Sequence, residues 1–234
     1  MQHIVILTGA GLSAESGLGT FRDKGGLWTK YDLEEVATPQ GFAANPDLVH
    51  EFYNARRANC LTASPNPAHD ALARLQSALP GQVTLVTQNV DDLLERAGAA
   101  DVIHMHGQLL RALCAACGHR WDAPRAMQPQ DPCPACARPA TRPDIVWFGE
   151  FPYHMDRIEQ ALTQADLFVA IGTSGNVYPA AGFVQEAALA GARTLELNLD
   201  ASANAGLFDE TRLGPASRIV PGWVDEILSA TARP

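Results

Sequence analysis

Short runs dominated by apolar and β-branched residues recur at positions 4–7, 83–87, 102–105, 167–171, 194–197 and 217–220. Runs of this length, not punctuated by a polar residue at every second position, read as strands buried on both faces. Between most of them lie longer stretches with apolar residues three and four apart, the helical spacing. Asn66-Pro67 stands as a cap and first-turn proline ahead of a helix over 68–79, and Gly98 and Gly191 fall where helices end. The alternation predicts an α/β fold, a mainly parallel sheet with helices on both faces.

Two stretches break the alternation. Residues 25–65 show helical spacing and no strand, with one helix over about 46–61, and residues 109–142 carry cysteines and prolines. Both read as insertions that together form a smaller domain over the carboxyl edge of the sheet. The chain then divides into a sheet domain of residues 1–25, 66–108 and 142–234, and a small domain of a helical module, 26–65, and a metal-binding module, 109–141.

The first strand runs straight into Gly9-Ala10-Gly11-Leu12-Ser13-Ala14-Glu15-Ser16-Gly17, which closes on Phe21-Arg22. A strand, a glycine turn and a helix start form the place where a dinucleotide's phosphates sit, because glycine lets backbone amides approach them. This points to a Rossmann-like site. The frame is not that of a dehydrogenase, since Ala14 fills the third glycine slot and no second strand with a ribose-binding acid follows.

Composition narrows the class. The 234 residues can bury a substantial core, and 47% hydrophobic with 18% charged residues describes an ordinary globular chain. A formal net charge of -9 argues against nucleic acid or an anionic membrane as partner. No leader precedes the first strand and no apolar run approaches the roughly 18 residues of a membrane span, so a cytoplasmic location is expected.

Cys114 and Cys117 form one Cys-x-x-Cys, Cys133 and Cys136 a second, with 15 residues between them. Two such knuckles close a tetrahedral zinc site, and four thiolates leave no open position, so the metal is expected to be structural. His119 reads as a solvated side chain on the knuckle, and Cys60 as a small buried group on a helix.

Polar groups gather where strands end. Thr87-Gln88-Asn89-Val90-Asp91 follows the second strand, and His104-Met105-His106-Gly107 ends the third. Helix capping accounts for one of Asn89 and Asp91 but not for the whole set. An imidazole at such a sheet end, His106, suits removal of a hydroxyl proton. His104 reads as structural.

Taken in order, the glycine loop, Phe21-Arg22, Gln88-Asn89-Val90-Asp91, His106-Gly107, the cysteine quartet, Gly172-Thr173-Ser174 and Asn198 resemble the sirtuin family of NAD-dependent protein-lysine deacylases over nearly the whole chain. Val146-Trp147-Phe148-Gly149-Glu150 and Val177-Tyr178-Pro179-Ala180-Ala181-Gly182 look most like the bacterial branch grouped with desuccinylases. Gly19, where many relatives carry proline, and Val90, in place of isoleucine, are mild departures.

The resemblance implies that NAD is consumed: the acyl-lysine carbonyl oxygen attacks the ribose carbon, nicotinamide leaves, and the products are O-acyl-ADP-ribose and free lysine. Asn89 and Asp91 would position nicotinamide and ribose, Gln88 the ribose hydroxyls, and His106 would take a ribose hydroxyl proton. Cofactor contacts would come from Gly9, Ala10, Gly11, Ser13, Glu15, Phe21, Arg22, Trp28, Val90, Gly172, Thr173, Ser174, Asn198, Leu199, Asp200 and Ala216. The expected partners are acylated lysine side chains of proteins.

Tyr53 and Arg56 lie three apart on the predicted helix, and the Tyr-x-x-Arg pair matches the desuccinylase branch. A guanidinium beside a phenol can clasp a carboxylate at the end of an acyl chain, which predicts removal of succinyl and malonyl as well as acetyl groups. Arg57 points elsewhere. Protein ADP-ribosylation from the same NAD site, hydride transfer, and a non-enzymatic zinc-ribbon interaction module are the competing readings.

Overall fold

The structure is a computed structural model that describes residues 3–19 and 31–231. Six parallel strands form the large sheet: β1 (Ile4–Thr8), β2 (Val83–Thr87), β3 (Val102–His104), β7 (Leu167–Ile171), β8 (Arg193–Asn198) and β9 (Glu210–Leu213), in the order β3-β2-β1-β7-β8-β9. In register, Ile4 pairs with Val83 on one side and Leu167 on the other. Every residue of β1 and β7 is buried, as expected of central parallel strands covered on both faces.

One face is covered by α5 (Pro67–Ala78) and α9 (Ala216–Thr231), where Leu72, Leu75, Val220 and Trp223 pack on Ile4, Ile6 and Val169. The other carries α7 (Met155–Thr163) and α8 (Phe183–Leu189), with Ile158, Leu162, Phe183 and Val184 against Val5, Leu7 and Phe168. The chain leaves β1 toward β2 on one side and returns through β7 on the other. That reversal opens a crevice at the carboxyl ends of β1 and β7, where such sheets bind ligands.

One predicted strand is corrected. Residues 217–220 lie inside α9, and the sixth strand is Glu210–Leu213. Val220, Trp223 and Val224 are the buried positions of α9, a helical period that a four-residue window cannot show. The true strand sits at the sheet edge with alternating exposure, so its polar sequence carries no continuous apolar run.

The insertions build a second layer. A three-stranded antiparallel sheet places β4 (Gly107–Cys114) between β5 (Arg120–Asp122) and β6 (Thr141–Ile145). Beside it lie α2 (Leu33–Val36), α3 (Pro39–Ala44) and α4 (Pro46–Thr62). Val49, Phe52, Tyr53 and Cys60 of α4 pack with Leu109, Ile145 and Trp147, so helices and small sheet share one core. The segment 25–65 is helical among its described residues, and α4 opens on the predicted Pro46 with Asn45 accepting the Leu48 amide at 3.1 Å. No helix among the described residues is long and apolar enough to cross a membrane.

Candidate active site

At the crevice the glycine turn after β1 lies against the loop after β7. Gly9 donates its amide to Ile171 at 2.9 Å and Gly11 to Gly172 at 2.9 Å. A Cβ on Gly9 would lie 2.8 Å from the Gly172 carbonyl, and one on Gly11 2.7 Å from the Gly172 Cα. Only hydrogen fits at either position, so the glycines serve close packing of two backbone turns as well as approach to a ligand. Ala10, Thr173 and Ser174 remain partly open beside this contact.

The Asn198 amide at the end of β8 donates to the Thr173 carbonyl at 2.7 Å and its oxygen accepts from Leu199, while Leu199 and Asp200 are exposed. Glu15 reaches across to the start of α9. Its carboxylate accepts the Ser217 amide at 3.0 Å and hydroxyl at 2.5 Å, holding the start of α9 at Ala216; those two bonds keep its pKa below the usual range. Phe21, Arg22 and Trp28 lie outside the described residues.

Gln88, Asn89, Val90 and Asp91 emerge together from β2. Gln88 reaches back to the Thr8 carbonyl through its backbone amide at 2.9 Å. The Asn89 side chain donates to the Gly9 carbonyl at 3.0 Å, tying the polar cluster to the glycine turn. Asp91 accepts the Leu93 amide at 3.2 Å, and its burial raises the carboxyl pKa. His106 stands between the two sheets, its Nδ1 3.2 Å from the Gln88 carbonyl. A carbonyl only accepts, so Nδ1 carries the proton and Nε2 presents its lone pair. Burial lowers the His106 pKa, which favours the neutral base at neutral pH.

Gly107 explains the placement of that ring. Its φ is +83°, and a Cβ there would lie 2.1 Å from the Asp144 carbonyl of β6. Val146 donates to the His106 carbonyl and Tyr153 to that of Met105, both at 2.9 Å, so the small sheet grips the histidine backbone from the far side.

The sulfurs of Cys114, Cys117, Cys133 and Cys136 lie within 4.8 Å of one another, Cys114 to Cys136 at 3.7 Å and Cys117 to Cys133 at 3.8 Å. A zinc–sulfur bond of about 2.3 Å requires a tetrahedral edge of about 3.8 Å, so the quartet fits one zinc ion. Each knuckle closes on a left-handed residue, Gly118 and Ala137. His119 is exposed, stacks on Trp121 and takes no part in the cluster, in keeping with its solvated reading.

Comparison with known proteins agrees with this geometry. A model of the Sir2 family matches residues 9–179. The NAD-dependent protein deacylase of Caulobacter vibrioides is 60% identical over 98% of this chain and 98% of its own, and that of Vibrio cholerae is 54% identical over 99% and 96%. Among solved structures, a Sir2 homologue in complex with NAD is 38% identical with a TM-score of 0.90, covering 98% of this chain and 91% of that one. A Sir2 bound to acetylated peptide superposes with a TM-score of 0.81 at 26% identity, over 96% and 92%. The chain belongs to the Sir2 family.

Within this Sir2 site, two groups escaped the sequence reading. Asn66 was read only as a helix cap, and His69 was not singled out. The Asn66 amide donates to His69 Nδ1 at 3.2 Å, which leaves His69 Nε2–H to donate to the Ser13 hydroxyl at 3.3 Å. Asn89 donates to the same oxygen at 3.1 Å. Ser13 therefore receives two donors and ties Asn89 to His69 of α5. The available signal was His69 at the third helical position after Asn66, the reciprocal cap position.

His104 donates from Nδ1 to the Asn89 carbonyl at 3.3 Å and pairs with Glu95 at 2.6 Å, a supporting role behind the Sir2 cluster. On α4, the Arg56 guanidinium lies 5.7 Å from the centre of the Tyr53 ring and 5.6 Å from that of Phe52, so the predicted pair stands together, and the Asp91 carboxylate favours its charge. Arg57 turns the other way, to the Leu109 carbonyl at 2.8 Å, Asn54 at 2.8 Å and Met127 at 3.2 Å.

Proposed function

We propose that this Sir2 chain removes acyl groups from protein lysine side chains at the expense of NAD, acidic acyl groups among them. Deacylation yields nicotinamide, O-acyl-ADP-ribose and the free lysine. The observation that carries the reading is His106: a half-buried imidazole whose pKa burial lowers, whose tautomer is set by Gln88 and whose basic nitrogen is presented at the sheet end. In that place it takes the proton of a ribose hydroxyl as the oxygen becomes a nucleophile. Asn89, held by Ser13 and the Gly9 carbonyl, and Asp91, held by the Leu93 amide, keep nicotinamide and ribose in line, and the tight turn of Gly9, Gly11 and Gly172 receives the phosphates. Thr173, Ser174 and Asn198 complete the nucleotide side, with Leu199, Asp200 and Ala216 toward the adenosine.

Acidic-acyl selectivity rests on Tyr53 and Arg56. Their adjacency, with the Arg56 guanidinium 5.7 Å from the centre of the Tyr53 ring, and the Asp91 charge felt at Arg56 support a clasp for a terminal carboxylate next to the reacting carbonyl. Zinc, held by the four thiolates, supplies structure alone. Thiolates kept for a metal suit a reducing compartment, so the cytoplasm is the proposed location.

Mass spectrometry of NAD reactions with acetyl-, succinyl- and malonyl-lysine peptides tests the reaction, since label left on polypeptide would identify ADP-ribosylation in its place. Arg56→Met should cut the succinyl-to-acetyl ratio of kcat/KM about thirtyfold, equivalent to about 2 kcal/mol for a charge-assisted contact. An unchanged ratio removes the selectivity claim and leaves deacylation standing.

A further inference from the structure

Glu196 lies within β8 and is 1% exposed. Its neighbours Leu195 and Leu197 pack into the layer shared with α5 and α9, so the alternation of a strand turns Glu196 to the opposite face of the sheet. A carboxylate in such a place is costly unless donors meet its oxygens. Here Oε1 accepts the Asn198 side-chain amide at 3.3 Å and the Ser202 backbone amide at 3.0 Å, and Oε2 accepts the Thr211 hydroxyl of β9 at 3.3 Å.

Two of those bonds are made to the turn that follows β8. The Asn198 Nδ2 divides its protons between Glu196 and the Thr173 carbonyl, and its Oδ1 accepts from Leu199, so the side chain is held in one orientation. Further along, Ala203 donates to the Ser174 carbonyl at 3.0 Å, the Ser202 hydroxyl to Asn204 at 2.9 Å, and Asn204 to the Ala181 carbonyl at 2.9 Å. The turn 199–204 is therefore pinned on one side by Glu196 and on the other by the segment after β7.

We propose that Glu196 is a positioning residue for the nucleotide: from within the sheet it holds Asn198 and the turn 199–204 in the shape that receives the adenosine of NAD. The inference deepens the nucleotide reading above and rests on it. A turn held before the ligand arrives needs little ordering on binding, so the benefit falls on NAD affinity. The proposed base His106 follows β3, and β2, β1 and β7 lie between that strand and β8, so turnover of bound NAD is left as it was.

The test measures kcat and KM for NAD with an acetyl-lysine peptide, and the Kd of ADP-ribose by calorimetry, in the parent, Glu196→Met, Glu196→Gln, Glu196→Asp and Asn198→Ala. Glu196→Met fills the same space without an acceptor. It should raise KM for NAD and the Kd of ADP-ribose about tenfold, the worth of one hydrogen bond to a charged group, with kcat within about twofold of the parent. Glu196→Gln should restore both constants, because its oxygen keeps Asn198 and Ser202 while the Thr211 hydroxyl turns to accept from the new N–H. Hydrogen exchange at the amides of residues 199–204 should quicken in Glu196→Met and not in Glu196→Gln. Glu196→Asp, whose carboxylate stops short of these donors, should move the constants in the same direction and serves where Glu196→Met does not fold.

Unmoved NAD and ADP-ribose constants in Glu196→Met, or in Glu196→Asp where that stands in, overturn the inference, as does a Glu196→Gln as impaired as Glu196→Met. A fall in kcat equal to the rise in KM overturns it too, since that marks a general disturbance of the fold. If Asn198→Ala meanwhile weakens ADP-ribose binding, the nucleotide reading survives each of these outcomes. Asn198→Ala that leaves ADP-ribose binding untouched overturns both together.

Discussion

The large and small sheets hold together for different reasons, and His106, the proposed base, sits where they meet. In the large sheet β1 and β7 are buried at every residue, and two apolar layers flank them. The small sheet has one strand, β5, that is largely exposed, and its far end is gathered by four sulfurs. Burial of a full Leu, Ile, Val or Phe side chain contributes roughly 1.5–3 kcal/mol, so the first layer is self-sufficient, whereas the second depends on its metal. His106 lies two residues past β3 and directly before Gly107, which begins β4, so the imidazole is fixed by the Gln88 carbonyl after β2 and its backbone by Val146 after β6.

Metal removal is the strongest way to break this comparison. Structural zinc contributes on the order of 10 kcal/mol in small modules, so chelation should expose the amides of residues 107–122 and 141–145 to hydrogen exchange while β1 and β7 stay protected. Uniform loss of protection in both sheets would contradict the division. Zinc content should be one ion per chain, falling with Cys133→Ser.

His106→Ala comes next. It should lower kcat for deacylation about a thousandfold, the range of a lost general base, without shifting the unfolding midpoint. In the parent, the acid limb of kcat/KM should fall below the ordinary histidine value of 6.5, since burial lowers this pKa.

A smaller effect belongs to the large sheet's side alone. Burial takes the His69 pKa down to about 4 from 6.5, so between those values the unfolded chain binds a proton that the folded chain refuses. Stability is then full above about pH 6.5 and is lost as pH falls toward 4, by on the order of 3 kcal/mol. Denaturant unfolding at pH 7 and pH 4.5 should show this slope in the parent and a flatter one in His69→Gln. Least of all, Glu15→Ala should cost about 1 kcal/mol as a lost helix cap, read from thermal unfolding, and should weaken NAD binding only through the position of α9.

The comparison also explains what could be read from the chain. Continuous apolar runs revealed the other five strands of the large sheet, because a parallel sheet covered on both faces leaves little room for alternation. The knuckle spacing announced the sulfur cluster, and glycine placement announced the turn at the crevice. The edge strand Glu210–Leu213 was illegible because half of it faces solvent, and Ser217–Val220 of α9 mimicked a strand within too short a window. Contacts between distant segments were also hidden. Nothing local in Trp147 points to Tyr53, nothing in Glu15 points to Ser217, and the partnership of His69 with Ser13 becomes visible only when α5 packs beside the glycine turn.

The buried guanidinium of Arg57 has a practical consequence for redesign. It is fastened at once to α4 through Asn54 and to the metal-bearing stretch through Leu109 and Met127. Transplanting residues 46–62 into another scaffold to import the proposed acyl preference would strip that cation of its Leu109 and Met127 acceptors, a penalty of about 3–5 kcal/mol for an interior charge that loses its partners. Helix and ribbon form one exchangeable cassette, and a graft that respects the boundary of either piece alone cuts through the joint that holds both.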